Sequence, residues 1–123
     1  MKRMITAALA ALALAATTAV PAHADATVRD GKVSLSVKGH GLSVRRAGGW
    51  INSLGTGVRA RLYTVDHGQR HTLTRWRDVT PLTYGTTRMS TVDWTLNRRF
   101  RAGAWLCIEF HHTDGTPCAQ IRP

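Results

Sequence analysis

Glutamate is almost missing from this chain: its 123 residues contain one, Glu109. Lysine is nearly as scarce, and beyond residue 24 only Lys32 and Lys38 occur. There are two cysteines, two tyrosines and two phenylalanines. These shortages exclude particular chemistries. No G-x-S-x-G elbow, phosphate-binding P-loop or H-E-x-x-H helix can be written from the sequence, which removes the commonest serine-hydrolase, nucleotide-binding and zinc-protease signatures. No stretch repeats at solenoid periods, and no Pro-rich, Ser-rich or like-charge block marks a linker, so one domain is expected. A long hydrophobic run is also missing outside the first twenty residues. The uncharged stretch there, Met4 to Val20, sits at the lower limit of the roughly 17–25 residues that span a bilayer and is rich in alanine.

What that first stretch does contain is an address. Lys2 and Arg3 form a charged start, the apolar run follows, and Ala22-His23-Ala24 supplies the small residues that signal peptidase requires before its cut. Residues 1–24 read as a secretory signal peptide and 25–123 as the mature domain, with no transmembrane segment and a monomer expected. Of the 17 basic residues, 15 lie beyond residue 24, against 7 acidic ones, so the mature chain carries a net charge of +8. Thirteen of those 15 are Arg, whose planar fork suits carboxylate and phosphate.

Along the mature region the dominant period is two. Val33, Leu35 and Val37 alternate with Lys32, Ser34, Ser36 and Lys38, the pattern of a half-buried strand. Gly39-His40-Gly41 breaks it, and Leu42-Ser43-Val44 opens another. Ala47 to Gly57, with four glycines around Trp50 and Ile51, reads as a loop. Val58, Ala60, Leu62 and Thr64 alternate with Arg59, Arg61, Tyr63 and Val65 ahead of a turn near Asp66-His67-Gly68-Gln69, and His71–Arg77 is expected to pair back as a hairpin. Pro81 reads as part of a connection. Thr87–Leu96 is a longer strand pointing Val92, Trp94 and Leu96 one way, and two strands follow over about 104–111 and 117–122. Seven or eight short strands with regular turn signals predict an all-β, immunoglobulin-like antiparallel sandwich.

Export makes a Cys107–Cys118 disulfide the default, since an even cysteine count in an oxidising compartment usually means pairing. With the cysteines facing each other, Phe110 pairs with Gly115 and the bridge staples the final hairpin, not the two sheets. The segments Trp94–Phe100, Gly103–Phe110 and Pro117–Ile121 resemble the C-terminal part of small secreted immunoglobulin-like β-sandwich proteins of GC-rich filamentous soil bacteria. The resemblance covers about thirty of the mature residues, mostly core and disulfide positions. It implies the fold and the compartment and assigns no activity.

The arginines fall in clusters: Arg45-Arg46, Arg59 with Arg61, Arg75 with Arg77, and Arg98-Arg99 with Arg101. If the central loop spans 66–70, Arg59 lies opposite Arg77 and Arg61 opposite Arg75, which crowds four guanidiniums on one face and favours a bound anion. A one-residue shift instead sets Arg59 across from Trp76 and turns Arg75 and Arg77 toward the side of Leu62. Arg59, Arg61, Arg75 and Arg77 are therefore the candidate anion-binding residues. The ligand expected is an anionic extracellular polymer or cell-envelope component, because an exported protein meets such material before any intracellular nucleic acid. No specific nucleic-acid recognition is expected, the four Trp being assigned mainly to the core. The alternative is a small secreted hydrolase of ribonuclease type, with Glu109 as base and His111 as acid, two apart on one strand and so on one face. No metal or cofactor is called for: His67, His71, His111 and His112 match no established ligand spacing. A cut after Ala22 would create an amino-terminal His23 able to hold copper, but the residues around Ala24 favour the later cut.

Overall fold

The computed structural model describes residues 25–54 and 57–123. The signal-peptide assignment for 1–24, His23 included, lies outside the described residues. The domain is all-β, with strands β1 (Ala26–Asp30), β2 (Val33–His40), β3 (Ser43–Ile51), β4 (Arg59–Asp66), β5 (Gln69–Thr72), β6 (Arg77–Asp78), β7 (Thr80–Tyr84), β8 (Thr87–Arg99), β9 (Trp105–Phe110) and β10 (Cys118–Gln120). They form two antiparallel sheets, one ordered β1-β2-β3-β8-β7 and the other β10-β9-β4-β5, with β6 continuing the β5 edge of β4. No helix among the described residues is long and apolar enough to cross a membrane.

The alternation along the chain determines which side of each sheet is buried. Val33, Leu35 and Val37 of β2 and Ala47 of β3 face inward, and opposite them lie Leu62 of β4 and Leu106, Ile108 and Phe110 of β9. Trp94 and Phe100 close the core beside them. At roughly 25 cal/mol per Å² of apolar surface removed from water, these inward rows are the main favourable term in folding.

Ten strands are present among the described residues where seven or eight are expected, and the differences have local causes. β1 is an added edge strand joined to β2 through Gly31-Lys32, with Asp30 opposite Val33. Pro81 lies within β7, opposite Ser90, on a sheet edge where its missing N–H deprives no neighbour. Residues 47–51 are strand rather than loop. A Cβ on Gly49 would lie 2.3 Å from the main-chain oxygen of Ser34 and 2.8 Å from Cδ1 of Ile108, and one on Gly48 would lie 2.4 Å from the oxygen of Val92. Glycine here allows close backbone approach, so it marks tight packing and not a turn.

Cys107 and Cys118 are bonded and directly opposite each other in the β9–β10 ladder, with Cα atoms 4.1 Å apart. The bridge joins neighbouring strands of one sheet, as the spacing predicts.

Candidate functional site

The β4–β5 connection is a two-residue turn with Asp66 opposite Gln69 and both His67 (φ 52°) and Gly68 (φ 75°) left-handed, the geometry that matches strand twist in a tight hairpin. Near the turn the ladder follows the shifted register, with Val65 opposite Arg70 and Tyr63 opposite Thr72. It then breaks. The amides of Leu73 and Thr74 both donate to the oxygen of Leu62, at 3.0 and 3.3 Å, while Thr74 Oγ1 accepts from the amide of Leu62 at 2.9 Å. The break takes up two residues, and pairing resumes with Ala60 opposite Arg77 and Arg59 opposite Asp78.

Neither sequence-derived register therefore describes the whole hairpin, and the facing arginine pairs expected on β4 and its neighbour do not form. Arg59 Nε donates to Asp78 at 3.1 Å, and Arg61 Nε donates to Glu109 at 2.8 Å. The side chain of Arg77 reaches across to the other sheet, donating to the main-chain oxygen of Asp93 on β8 and lying 5.4 Å over the ring of Trp94. Arg75 is exposed in the break.

Glu109 accepts from Arg70 as well as from Arg61. Arg70 in turn covers the Tyr63 ring at 3.7 Å, which is why an outward-facing tyrosine is only 6% exposed. Arg61 lies 4.3 Å over Trp76, and Trp76 stacks on His111 with centroids 3.8 Å apart. Glu109 and His111 share the outer side of this sheet, but the carboxylate is held by two guanidiniums and the imidazole rests against an indole. The arrangement neutralises charge and covers aromatic surface. No group of three or more His, Cys, Asp or Glu among the described residues is placed to hold a metal.

A second basic region, at the far end of the other sheet, is assembled by strand pairing that the clusters alone do not reveal. Val44 lies opposite Arg98 and Ser43 opposite Arg99, with irregularities in register between Lys38 and Gly39 and between Val44 and Arg46. Asn97 is left-handed at φ 47°. These bulges bring Arg45, Arg98 and Arg99 around one depression of about 360 Å³, with His40 at its edge. None of Lys38, Arg45, Arg98 or Arg99 forms an ion pair among the described residues. The nearby carboxylate of Asp25 accepts from the amide of Gly39 at 2.8 Å. Arg45 also borders a larger groove of about 680 Å³ on the outer side of β2, β3 and β8, so the two depressions adjoin at this residue.

No family model matches the chain, and comparison with curated proteins and with solved structures finds no match.

Proposed function

We propose that this protein is secreted and binds anionic polymers outside the cell, through the basic end formed by Lys38, Arg45, Arg98 and Arg99. The observation that carries this reading is the unequal distribution of acidic partners. Asp66, Asp78 and Glu109 all belong to the β4–β6–β9 layer, where they pair with Arg101, Arg59, Arg61 and Arg70. Lys38, Arg45, Arg98 and Arg99 have no ion-pair partner among the described residues, although Asp66 and Arg101 pair close by at the same end of the sandwich and Asp25 accepts from the amide of Gly39 beside them. Uncompensated like charges held together by strand pairing repel one another, and a polyanion that displaces their counterions relieves that repulsion.

Export belongs to the same proposal, supported by the leader-like residues 1–24 and by a disulfide of the kind that persists in oxidising compartments. So does the immunoglobulin-like plan: β2-β3-β8-β7 over β10-β9-β4 follows the strand order of the two immunoglobulin sheets, with β5 added at one edge. Hydrolysis through Glu109 and His111 gains less support, because both side chains are engaged by Arg61, Arg70 and Trp76.

The test is a salt-titrated retention of the secreted protein on immobilised anionic polymers. With about four charges neutralised, affinity is expected to fall roughly 50-fold between about 50 and about 200 mM salt, using the slope of a single-stranded polyanion. Joint replacement Arg45→Ala, Arg98→Ala and Arg99→Ala should remove most of the retention, and Arg59→Ala with Arg61→Ala should leave it. The reverse pattern would reject the basic end as the contact surface. RNA cleavage abolished by Glu109→Gln or His111→Ala would instead establish the hydrolase.

A further inference from the structure

We infer that the polymer is an acidic glycan, with a sugar ring seated in the groove over Gly48 and its carboxylates extending toward the basic end. The inference rests on the polyanion-binding reading and adds the chemical class of the ligand.

The groove owes its depth to a missing side chain. In the ladder Gly48 lies between Ser36 of β2 and Asp93 of β8, so a row that would otherwise project three side chains projects two with a gap between them. The gap cannot fill by substitution, because a Cβ there meets the β8 backbone. In the neighbouring row Trp50 lies opposite Thr91 and is half-buried, so its indole forms part of the groove lining. Arg46 and Asp93 form an ion pair across the groove, both with exposed side chains. A volume of about 680 Å³ is within the range of sites that take small-molecule-sized ligands.

This set of groups discriminates among anions. Sugar hydroxyls both donate and accept, and Arg46 and Asp93 offer a donor and an acceptor side by side, with the Ser36 and Thr91 hydroxyls able to serve as either. Indole supplies apolar surface for the C–H side of a ring. A ligand whose polar atoms are all phosphate oxygens would find nothing to donate to Asp93 and Asp78, and would be repelled by both. Pure phosphate recognition therefore suits the basic depression alone, whereas a hydroxyl-rich chain bearing carboxylates suits the groove and the depression together. Arg45, which borders both, lies where the chain would pass from one to the other.

The experiment titrates the secreted protein with oligogalacturonate, inorganic polyphosphate of equal charge and single-stranded DNA, by calorimetry near physiological salt. Oligogalacturonate should bind more tightly than either. Asp93→Asn, which preserves shape, and Trp50→Leu should each weaken it by about tenfold, the size of one lost charged hydrogen bond or aromatic contact. Asp93→Asn should leave polyphosphate binding unchanged or stronger. Equal or tighter binding of polyphosphate or DNA overturns the glycan assignment while leaving the polyanion reading intact, as does oligogalacturonate binding that ignores Asp93→Asn. If none of the three polymers binds, the polyanion reading itself fails. Should Trp50→Leu not fold, Asp93→Asn alone decides the outcome.

Discussion

Arg77 donates to the main-chain oxygen of Asp93 and thereby ties the edge of one sheet to the edge of the other. β7 pairs with β8 only as far as Thr91, opposite Thr80, so the β8 edge beyond it presents backbone groups without a strand partner. Such an edge is a template for unwanted pairing unless something covers it. Arg77 belongs to β6, just before the chain crosses between layers at Val79, and its side chain makes the crossing in parallel with the backbone.

Replacing Arg77 with Met keeps much of the stem over Trp94 and removes the donor. The loss expected is about 1 kcal/mol, a lowering of the melting temperature by roughly 4–8 °C for a domain of this size. Lys at this position should recover part of it. A melting temperature unchanged in Arg77→Met would show that the contact contributes nothing to stability.

Glu109 serves two guanidiniums, so its replacement should not behave as the loss of one pair. Glu109→Gln is expected to cost about 1 kcal/mol, with the Arg70 contribution reduced by solvent screening because that side chain is 45% exposed. A double-mutant cycle with Arg61→Met should show coupling of roughly 0.5–1 kcal/mol, the second substitution costing less once the first is made. Strict additivity in denaturant melts would rule out the shared carboxylate as an energetic unit.

Period-two alternation made the inner rows legible in advance: Val33, Leu35 and Val37, and Ala60 with Leu62, are buried as the pattern requires. The disulfide was equally legible, because cysteine spacing and hairpin register are both local. Long-range pairing was not. Arg98 and Arg99 meet β3 through a register that shifts at the irregularity between Val44 and Arg46, and nothing in the residues near Val44 specifies its partner some fifty positions away. The central hairpin failed for a related reason. Its turn was recognisable, but the break at Leu73–Trp76 depends on Thr74 returning its hydroxyl to the Leu62 amide, a side-chain interruption of the ladder with no periodic signature. Gly48 and Gly49 show a third limit, since glycine marks both a turn and a close approach and only the neighbouring strands distinguish the two.

The two strand glycines should tolerate change far less than a turn glycine. Gly49→Ala sets a methyl group against the Ser34 carbonyl, which cannot move without opening the β2–β3 ladder, and Gly48→Ala does the same to β8. Each is expected to cost about 1–3 kcal/mol or more, enough to reduce the folded yield. Gly41, with φ 58° and no atom within 4 Å of a built Cβ, provides the contrast. Gly41→Asn should stay within about 0.5 kcal/mol, because Asn enters the left-handed region at little cost. Equal tolerance at Gly41 and Gly49 would refute the close-approach explanation.

The Cys107–Cys118 bridge lies within one sheet, between strands already adjacent, so its loss should be felt locally first. Closing an eleven-residue separation is worth about 2–3 kcal/mol when estimated from chain entropy. β10 is a three-residue edge strand of which only Ala119 is buried in the core, with Ile121 just beyond it. Ile121 extends the pairing by donating to the oxygen of Ala104 at 2.8 Å and accepting from the amide of Gly103 at 2.9 Å. Neither cysteine belongs to the inter-sheet core of Leu35, Leu62, Leu106 and Ile108. Under mild reduction, hydrogen exchange at the amides of Ala119 and Ile121 should therefore accelerate while that of Leu62 and Val37 stays slow. Simultaneous acceleration at all four sites would mean that the staple holds the whole sandwich together, contrary to its position between neighbouring strands.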